Sequence, residues 1–392
     1  MQAQVHDSSD AVRFQAGLFF CVCPSGTELT LPEKKLYAAM RPGAFLLFGR
    51  NCQTARQVRN LTDEIRDIAG ENTLIAIDQE GGTVDRLRSF LPPMPSAEHL
   101  AIADDSEIFQ KAGTLTGKIL SRLGINFNLA PVVDVPHGTE AVNGLSKRYP
   151  GKTVASICAN ARAYLAGLQS QGVAGCLKHF PGLGGADTDP HHQFPVVRRT
   201  KAQIEEEDLA PFSHLIAQGE VRAVMTSHAA YPSLPENVNV PVPASLSSGI
   251  VSHLLRDRMK FTGVALSDDL RMGAVIQSAG SLTSAAIQAF AAGNDLLLVC
   301  AEAEEVAHVL ENFIRHFQQK KEWRERFQTS ARRINAISRA LPAPSAFRDK
   351  EFLVFARKIM ELSEEAEVKT TRLTINQISI SENNIHQEIV HQ

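Results

Sequence analysis

Three stretches of this chain gather residue types that can move protons or hold polar ligands. The richest is Lys178-His179-Phe180-Pro181-Gly182-Leu183-Gly184-Gly185-Ala186-Asp187-Thr188-Asp189-Pro190-His191-His192. An apolar run delivers a lysine and a histidine, and a glycine-rich loop then delivers two carboxylates and two imidazoles. Imidazole exchanges protons near neutral pH. A carboxylate two residues away can orient it and stabilise its charged form. The residue before a proline is biased to extended backbone, so Asp189 and His191 can share one side of the loop. No Gly-Lys-Ser/Thr follows, which excludes a phosphate-binding P-loop. Three other readings stay open. Asp187, Asp189, His191, His192 and His179 have metal-ligating side chains, although no helical i, i+4 spacing fixes them. Lys178 at a strand end suits a Schiff-base lysine. The loop could also be solvated and without function.

The second stretch is Ile77-Asp78-Gln79-Glu80-Gly81-Gly82-Thr83-Val84-Asp85-Arg86-Leu87-Arg88. A carboxylate leaves a strand, the chain turns on two glycines, and arginines follow. An aspartate and an arginine at a pocket mouth can hydrogen-bond hydroxyls or a carbonyl oxygen. The bland alternative is a turn with solvated charges. The third stretch is Ala265-Leu266-Ser267-Asp268-Asp269-Leu270-Arg271-Met272-Gly273-Ala274. Asp269 suits a helix cap. Asp268 is better placed to stabilise or attack a carbon with oxocarbenium character.

Eight short apolar runs must position these residues: 17–23, 44–48, 73–78, 126–135, 174–180, 223–228, 263–268 and 295–300. Most lack internal alternation, as strands buried on both faces do. Stretches with helical spacing lie between them, at 54–68, 108–123, 154–171, 201–218, 246–259 and 283–292. Eight alternating units predict a (β/α)8 barrel of the TIM type. Asp78, Asp134, Lys178-His179, His228 and Asp268 all end such runs. Five polar strand ends on one topological face are hard to explain as packing, and that face is where barrel enzymes place their chemistry.

We expect residues 1–340 to form a single catalytic barrel. Residues 341–392 should form a short extension, beginning with an amphipathic helix built on Phe347, Phe352, Phe355, Ile359 and Leu362. The last segment, 371–392, reads as an edge strand or as a polar, partly disordered tail. The 392 residues carry 40 Lys and Arg against 43 Asp and Glu. This near-balance argues against nucleic-acid or membrane-surface partners. No apolar run approaches the roughly 20 residues of a membrane span. The six cysteines do not read as a disulfide framework in so long a chain, and Cys21-Val22-Cys23 reads as core strand. Reduced thiols and an N-terminus without a signal-peptide pattern point to the cytoplasm.

In this order, the three stretches resemble glycoside hydrolase family 3, and especially its single-domain bacterial β-N-acetylglucosaminidases (β-hexosaminidases). The family's D-Q-E-G-G turn matches residues 78–82. Its K-H-F-P-G-x-G loop ending in D-x-H matches 178–184 with Asp189-Pro190-His191, and its S-D-D-L motif matches 267–270. Ala130-Pro131-Val132-Val133-Asp134 and Met225-Thr226-Ser227-His228 add to the likeness, which runs from about Gly17 to Ala340. Leu183, Pro190 and Thr83 stand where the family usually has His, Ser and Arg.

The resemblance implies roles. Asp268 would be the nucleophile and His191 the acid/base, paired with Asp189. Asp78, Arg86, Arg148, Lys178, His179 and His228 would hold the sugar. No metal and no cofactor is implied. The substrate would be a small glycoside, or muropeptide fragments from cell-wall turnover. The oligomeric state is left open. Two alternatives remain within the family, a β-glycoside phosphorylase and a β-glucosidase. From another class comes a sugar-binding barrel without activity. The roughly 50 residues after Ala340 are too few for the second domain of larger family members.

Overall fold

The computed structural model describes residues 15–138, 143–188, 195–234, 242–317 and 323–390, with side chains as far as 371. Eight parallel strands form a (β/α)8 barrel. They are β1 (Phe20–Val22), β2 (Ala44–Leu47), β3 (Leu74–Ile77), β4 (Phe127–Asn128), β5 (Ala174–Phe180), β6 (Ala223–Thr226), β7 (Val264–Ser267) and β8 (Leu297–Val299). Each falls inside one of the eight apolar runs. The hydrogen-bonded order is β7-β6-β5-β4-β3-β2-β1-β8. A parallel bridge between Leu266 and Leu296 joins β7 to the residue before β8 and closes the ring. Every strand residue is buried, as expected when helices cover the outside and side chains fill the inside.

β4 is the shortest strand, although its apolar run is the longest. Pro131 lacks an N–H to continue the ladder, and beyond it a bridge joins Val132 to Lys178. The ladder between β5 and β6 also shifts register between Leu177 and Phe180. The irregular part of the barrel wall is therefore where the Lys-His pair emerges.

The outer helices follow their apolar spacing. In the helix Ala55–Ala69, Val58, Leu61, Thr62, Ile65, Arg66 and Ala69 are buried on one face. Thr54 begins it by accepting the Gln57 N–H on its hydroxyl. The predicted helix at 201–218 is broken into Lys201–Gln203, a wide-turn segment Ile204–Asp208, and Ala210–Ala217. Pro211 at the start of the last piece has no N–H for a continuous ladder. Below the barrel, the buried Asp295 carboxylate accepts from Arg256 (2.5 Å), Arg326 (3.1 Å), Arg333 (3.2 Å) and the Ser330 hydroxyl (2.7 Å). This cluster ties the helix Trp323–Ala340 to the entry of β8.

Two expectations are corrected. As far as Val390 the C-terminal segment is helical and not an edge strand. One helix runs Asp349–Val390, and its Phe352, Phe355, Ile359, Leu362 and Ala366 are buried. Lys111–Glu365 (2.8 Å) and Arg122–Glu351 (2.5 Å) pin it to the helix Ser106–Arg122. The second correction concerns the thiols. Cys23 and Cys300 form a disulfide, with Cα atoms 5.0 Å apart. Barrel closure sets Val22 beside Val299, so the next residue on each strand meets its neighbour across the seam. Cys21, Cys52, Cys158 and Cys176 are free and buried. With Cys23 and Cys300 bonded, the cysteines do not point to a reducing compartment.

Candidate active site

The strand ends surround a pocket of about 760 Å³, within the range of small-ligand sites. β3 and the turn after it supply Asp78, Glu80 and Arg86. β5 supplies Lys178 and His179, and Arg148 approaches from the segment before the helix Val154–Gln169. Asp268 and Asp269 follow β7, and Cys23 and Cys300 follow the two seam strands.

A chain of charges organises one side. Lys178 is 2% exposed and its ammonium donates to Asp78 Oδ1 (2.7 Å) and lies 2.6 Å from Glu80 Oε1. With three N–H groups and two carboxylate partners, it keeps one donor for a ligand. Arg148 grips Glu80 with two parallel bonds, Nε to Oε2 (2.8 Å) and Nη2 to Oε1 (2.9 Å). Arg86 lies 3.7 Å from Asp78 Oδ2. Burial pushes Glu80 up, but Arg148 and Lys178 overcome it and hold the carboxyl well below the usual carboxylate range. Burial pushes Lys178 down, and Asp78 and Glu80 reverse that, so the amine stays protonated. A charged amine is not nucleophilic, which speaks against the Schiff-base reading.

His179 is fixed from behind. Its Nδ1 lies 2.8 Å from Asp134 Oδ2, and its backbone N–H points at the same carboxylate. The carboxylate accepts, so Nδ1 carries the proton and Nε2 is free to accept. Arg148 Nη2 lies 3.5 Å from that Nε2, which fits an accepting nitrogen. Asp134 also accepts the Leu183 N–H (2.7 Å), so one carboxylate sets both the imidazole and the root of the glycine-rich loop. Gly184 is forced there. A Cβ would sit 1.8 Å from the Val135 carbonyl oxygen. Asn143 donates to the Gly184 carbonyl (2.9 Å) and Tyr231 to that of Gly182 (2.9 Å). Farther along, the Val196 N–H donates to Asp187 (2.9 Å).

Asp268 faces this network across the pocket. Its Oδ1 accepts the Asp269 N–H (2.8 Å). Burial pushes its pKa up, but His228, His179, the Asp269 N–H and Lys178 together hold it below the usual value. Asp269 behaves oppositely. Burial pushes it up to about 6, with Asp268 adding to the rise against N–H donors from Arg271 and Cys300. Of the two adjacent carboxylates, Asp268 is therefore the more firmly ionised, and Asp269 takes up a proton first as pH falls toward about 6.

Among the sequence-predicted residues, Asp78, Arg86, Arg148, Lys178, His179 and Asp268 are brought together on the pocket wall. His228 is not. It is 1% exposed, and both ring nitrogens are engaged, Nδ1 with the Ser245 hydroxyl (2.8 Å) and Nε2 with the Asp269 carbonyl (3.0 Å). It supports the backbone beside Asp268 and leaves no atom for a sugar. Asp189, His191 and His192 lie outside the described residues. No group of three metal-ligating side chains is assembled among the described residues. Sequence reading gave Glu80 and Asp134 no role. Glu80 sits two residues after Asp78 in the same turn, a spacing that could have marked it as the partner of a buried cation.

Comparison with known proteins follows this geometry. A model of the glycosyl hydrolase family 3 N-terminal domain matches residues 28–337. A β-hexosaminidase of Glaesserella parasuis serovar 5 is 35% identical over 289 residues, covering 74% of this chain and 82% of that protein. One from Pseudomonas aeruginosa is 36% identical over 280 residues, 70% and 80% of the two chains. Among solved structures, a family 3 β-N-acetylglucosaminidase from a Paenibacillus species superposes with a TM-score of 0.79 at 30% identity, over 90% of this chain and 68% of that one. NagZ from Neisseria gonorrhoeae, in complex with N-trifluoroacetyl-D-glucosamine, superposes at 0.72 and 26% identity, over 89% and 98%.

Proposed function

Because the chain belongs to glycosyl hydrolase family 3, we propose that it is a retaining exo-β-N-acetylglucosaminidase. The observation that carries this reading is the pairing, across one pocket, of an ionised Asp268 with a fixed bank of donors on Lys178, Arg148 and Arg86. A carboxylate held ionised in a partly closed pocket is suited to attack an anomeric carbon. Donors that are already oriented can grip the hydroxyls and acetamide of a terminal sugar without reorganising. The names of its relatives support N-acetylglucosamine as that sugar.

In the first step, Asp268 attacks the anomeric carbon and forms a glycosyl-enzyme while an acid protonates the departing oxygen. In the second, water loses a proton to the same group and displaces Asp268, so configuration is retained. We assign the proton transfers to His191, partnered by Asp189, on the strength of the D-x-H motif. An imidazole needs little tuning for this work near neutral pH. Terminal N-acetylglucosamine on anhydromuramyl peptides from cell-wall turnover is the natural substrate we propose.

The test is turnover of an aryl β-N-acetylglucosaminide against the matching β-glucoside, each with and without phosphate. We expect fast hydrolysis of the first, indifferent to phosphate, with the β-anomer as first product. Preference for the glucoside would overturn the sugar assignment. A sugar 1-phosphate as product would make the enzyme a phosphorylase.

A further inference from the structure

We propose that the Cys23–Cys300 pair is a redox-active seam in the wall of this pocket. Thiol–disulfide exchange with a small thiol opens it, and its state sets the placement of the segment from Asp268 to Arg271. The kinetic part of the inference rests on the glycosidase reading, and the structural part does not.

Position is the first argument. β8 is the last strand and β1 the first, so no βα loop joins them as loops join the other neighbours. The disulfide supplies that missing link, across a sequence separation of 277. Both half-cystines line the pocket. Cys300 is partly exposed, whereas Cys23 is 4% exposed and the other four cysteines are buried. A reagent entering the pocket therefore meets one reactive sulfur.

Coupling is the second argument. The Cys300 N–H donates to Asp269 Oδ1 (3.3 Å), which also accepts the Arg271 N–H (3.1 Å). Asp269 in turn gives its own N–H to Asp268. Arg271 Nη1 reaches the Cys300 carbonyl (3.5 Å). On the other strand, the carbonyl of Pro24, next to Cys23, accepts from Asn51 Nδ2 (2.9 Å). The bond thus clamps two loop roots, and one of them holds the backbone of the proposed nucleophile.

The exchange balances. A thiolate R′S⁻ attacks Cys300 Sγ and expels Cys23 as a thiolate, which takes up a proton. A second R′SH attacks the mixed disulfide, leaving Cys300 as a thiol and releasing R′S–SR′. Oxidised R′S–SR′ reverses both steps.

The experiment equilibrates the full-length protein in glutathione buffers from fully oxidised to fully reduced. Alkylation of the folded protein and peptide mass analysis read Cys23 and Cys300, with the buried Cys52 and Cys176 as unlabelled controls. Hydrogen exchange reads the peptide spanning 268–273, and kcat/KM is taken on the aryl β-N-acetylglucosaminide. On reduction we expect labelling of Cys300, with Cys23 following only as the opened seam exposes it, and faster exchange at 268–273. We also expect kcat/KM to fall roughly 3- to 10-fold, the size of one ordinary hydrogen bond lost. Cys23→Ser/Cys300→Ser should match the reduced enzyme in every buffer. If hydrolysis is absent throughout but exchange still shifts, the glycosidase reading fails and the seam stands. If both cysteines label in oxidised buffer, or exchange is the same in both states, the seam is refuted whatever the activity.

Discussion

Glu80→Gln isolates the charge chain that orients the donors proposed to hold the sugar. The amide keeps the volume but removes the negative charge that Arg148 grips at 2.8 and 2.9 Å and Lys178 meets at 2.6 Å. Removing one partner of a buried pair commonly costs about 3–5 kcal/mol. Here the lower end applies, because Lys178 keeps Asp78 at 2.7 Å and the Arg148 side chain is 14% exposed to pocket water. The amide NH2 also has to face a cation, so one of the two donors must swing away from its present line. A displaced donor costs the transition state about 1–3 kcal/mol, and tenfold in rate is about 1.4 kcal/mol. We therefore expect kcat/KM on the aryl β-N-acetylglucosaminide to fall roughly 5- to 150-fold, alongside a loss of about 3 kcal/mol in folding stability.

The pH dependence of stability gives an independent check. Glu80 is held below its ordinary range in the folded protein. A depressed carboxyl stabilises above its unfolded pKa of about 4.3, and the contribution fades as pH falls below that value toward the folded pKa. The wild type should therefore lead the variant in thermal midpoint at pH 7, and the gap should shrink steadily below about pH 4. A protonated Glu80 is then equivalent to the amide. If Glu80→Gln folds with kcat/KM within twofold of wild type, Glu80 does not hold the donors. Should that variant fail to fold, Glu80→Asp keeps the charge and shortens the reach, and its activity loss alone tests the geometry.

Asp268→Ala should lose at least about 10³-fold in turnover, since the covalent route disappears. A mechanism-based fluoro-sugar should label the peptide containing Asp268, and a label elsewhere would move the nucleophile. His191→Ala should lose roughly 10²–10⁴-fold on glycosides with poor leaving groups and far less on activated aryl glycosides, with His192→Ala the milder control. Equal loss on both substrates would make His191 structural. Prolonged EDTA treatment should leave kcat/KM unchanged, and a loss restored by a divalent ion would revive the metal reading of the loop.

The barrel was legible because its strands are short, apolar and bounded by polar ends, a pattern that survives without any alignment. All eight strands lie within the runs read as strands. The pocket-lining residues were legible for the same reason, since Asp78 and Asp268 directly follow strands and Lys178 and His179 lie near the end of theirs. What stayed hidden depended on distance in sequence. Asp134 was seen as a strand end, but its hold on His179 follows from the neighbouring ends of β4 and β5. The Cys23–Cys300 pair looked unrelated because its members are at opposite ends of the barrel sequence. Ring closure makes them adjacent, and no local pattern encodes that. His228 misled in the opposite way. It ends a strand run like the others, yet Ser245 and the Asp269 carbonyl take both of its nitrogens.

That contrast identifies what separates a ligand-facing strand end from a structural one. Each polar group on this rim has a partner behind it, so possession of a partner does not discriminate. Capacity does. Lys178 has three donors and two carboxylate partners, which leaves one. His179 commits Nδ1 to Asp134, and its Nε2 has only a long 3.5 Å contact from Arg148 Nη2. Asp268 accepts one N–H through Oδ1, which leaves acceptor capacity on a carboxylate that lines the pocket. His228 has two nitrogens and two partners, and nothing remains. A residue that is fixed by part of its hydrogen-bonding capacity and open through the rest is pre-oriented without being satisfied. A sugar that completes those bonds replaces water around groups already in place, and one that cannot leaves buried donors unpaired at about 1–3 kcal/mol each. On this reasoning, selectivity for the sugar is built from the residual capacity of Lys178, His179 and Arg148, and the carboxylates of Asp78, Glu80 and Asp134 fix it by consuming the rest.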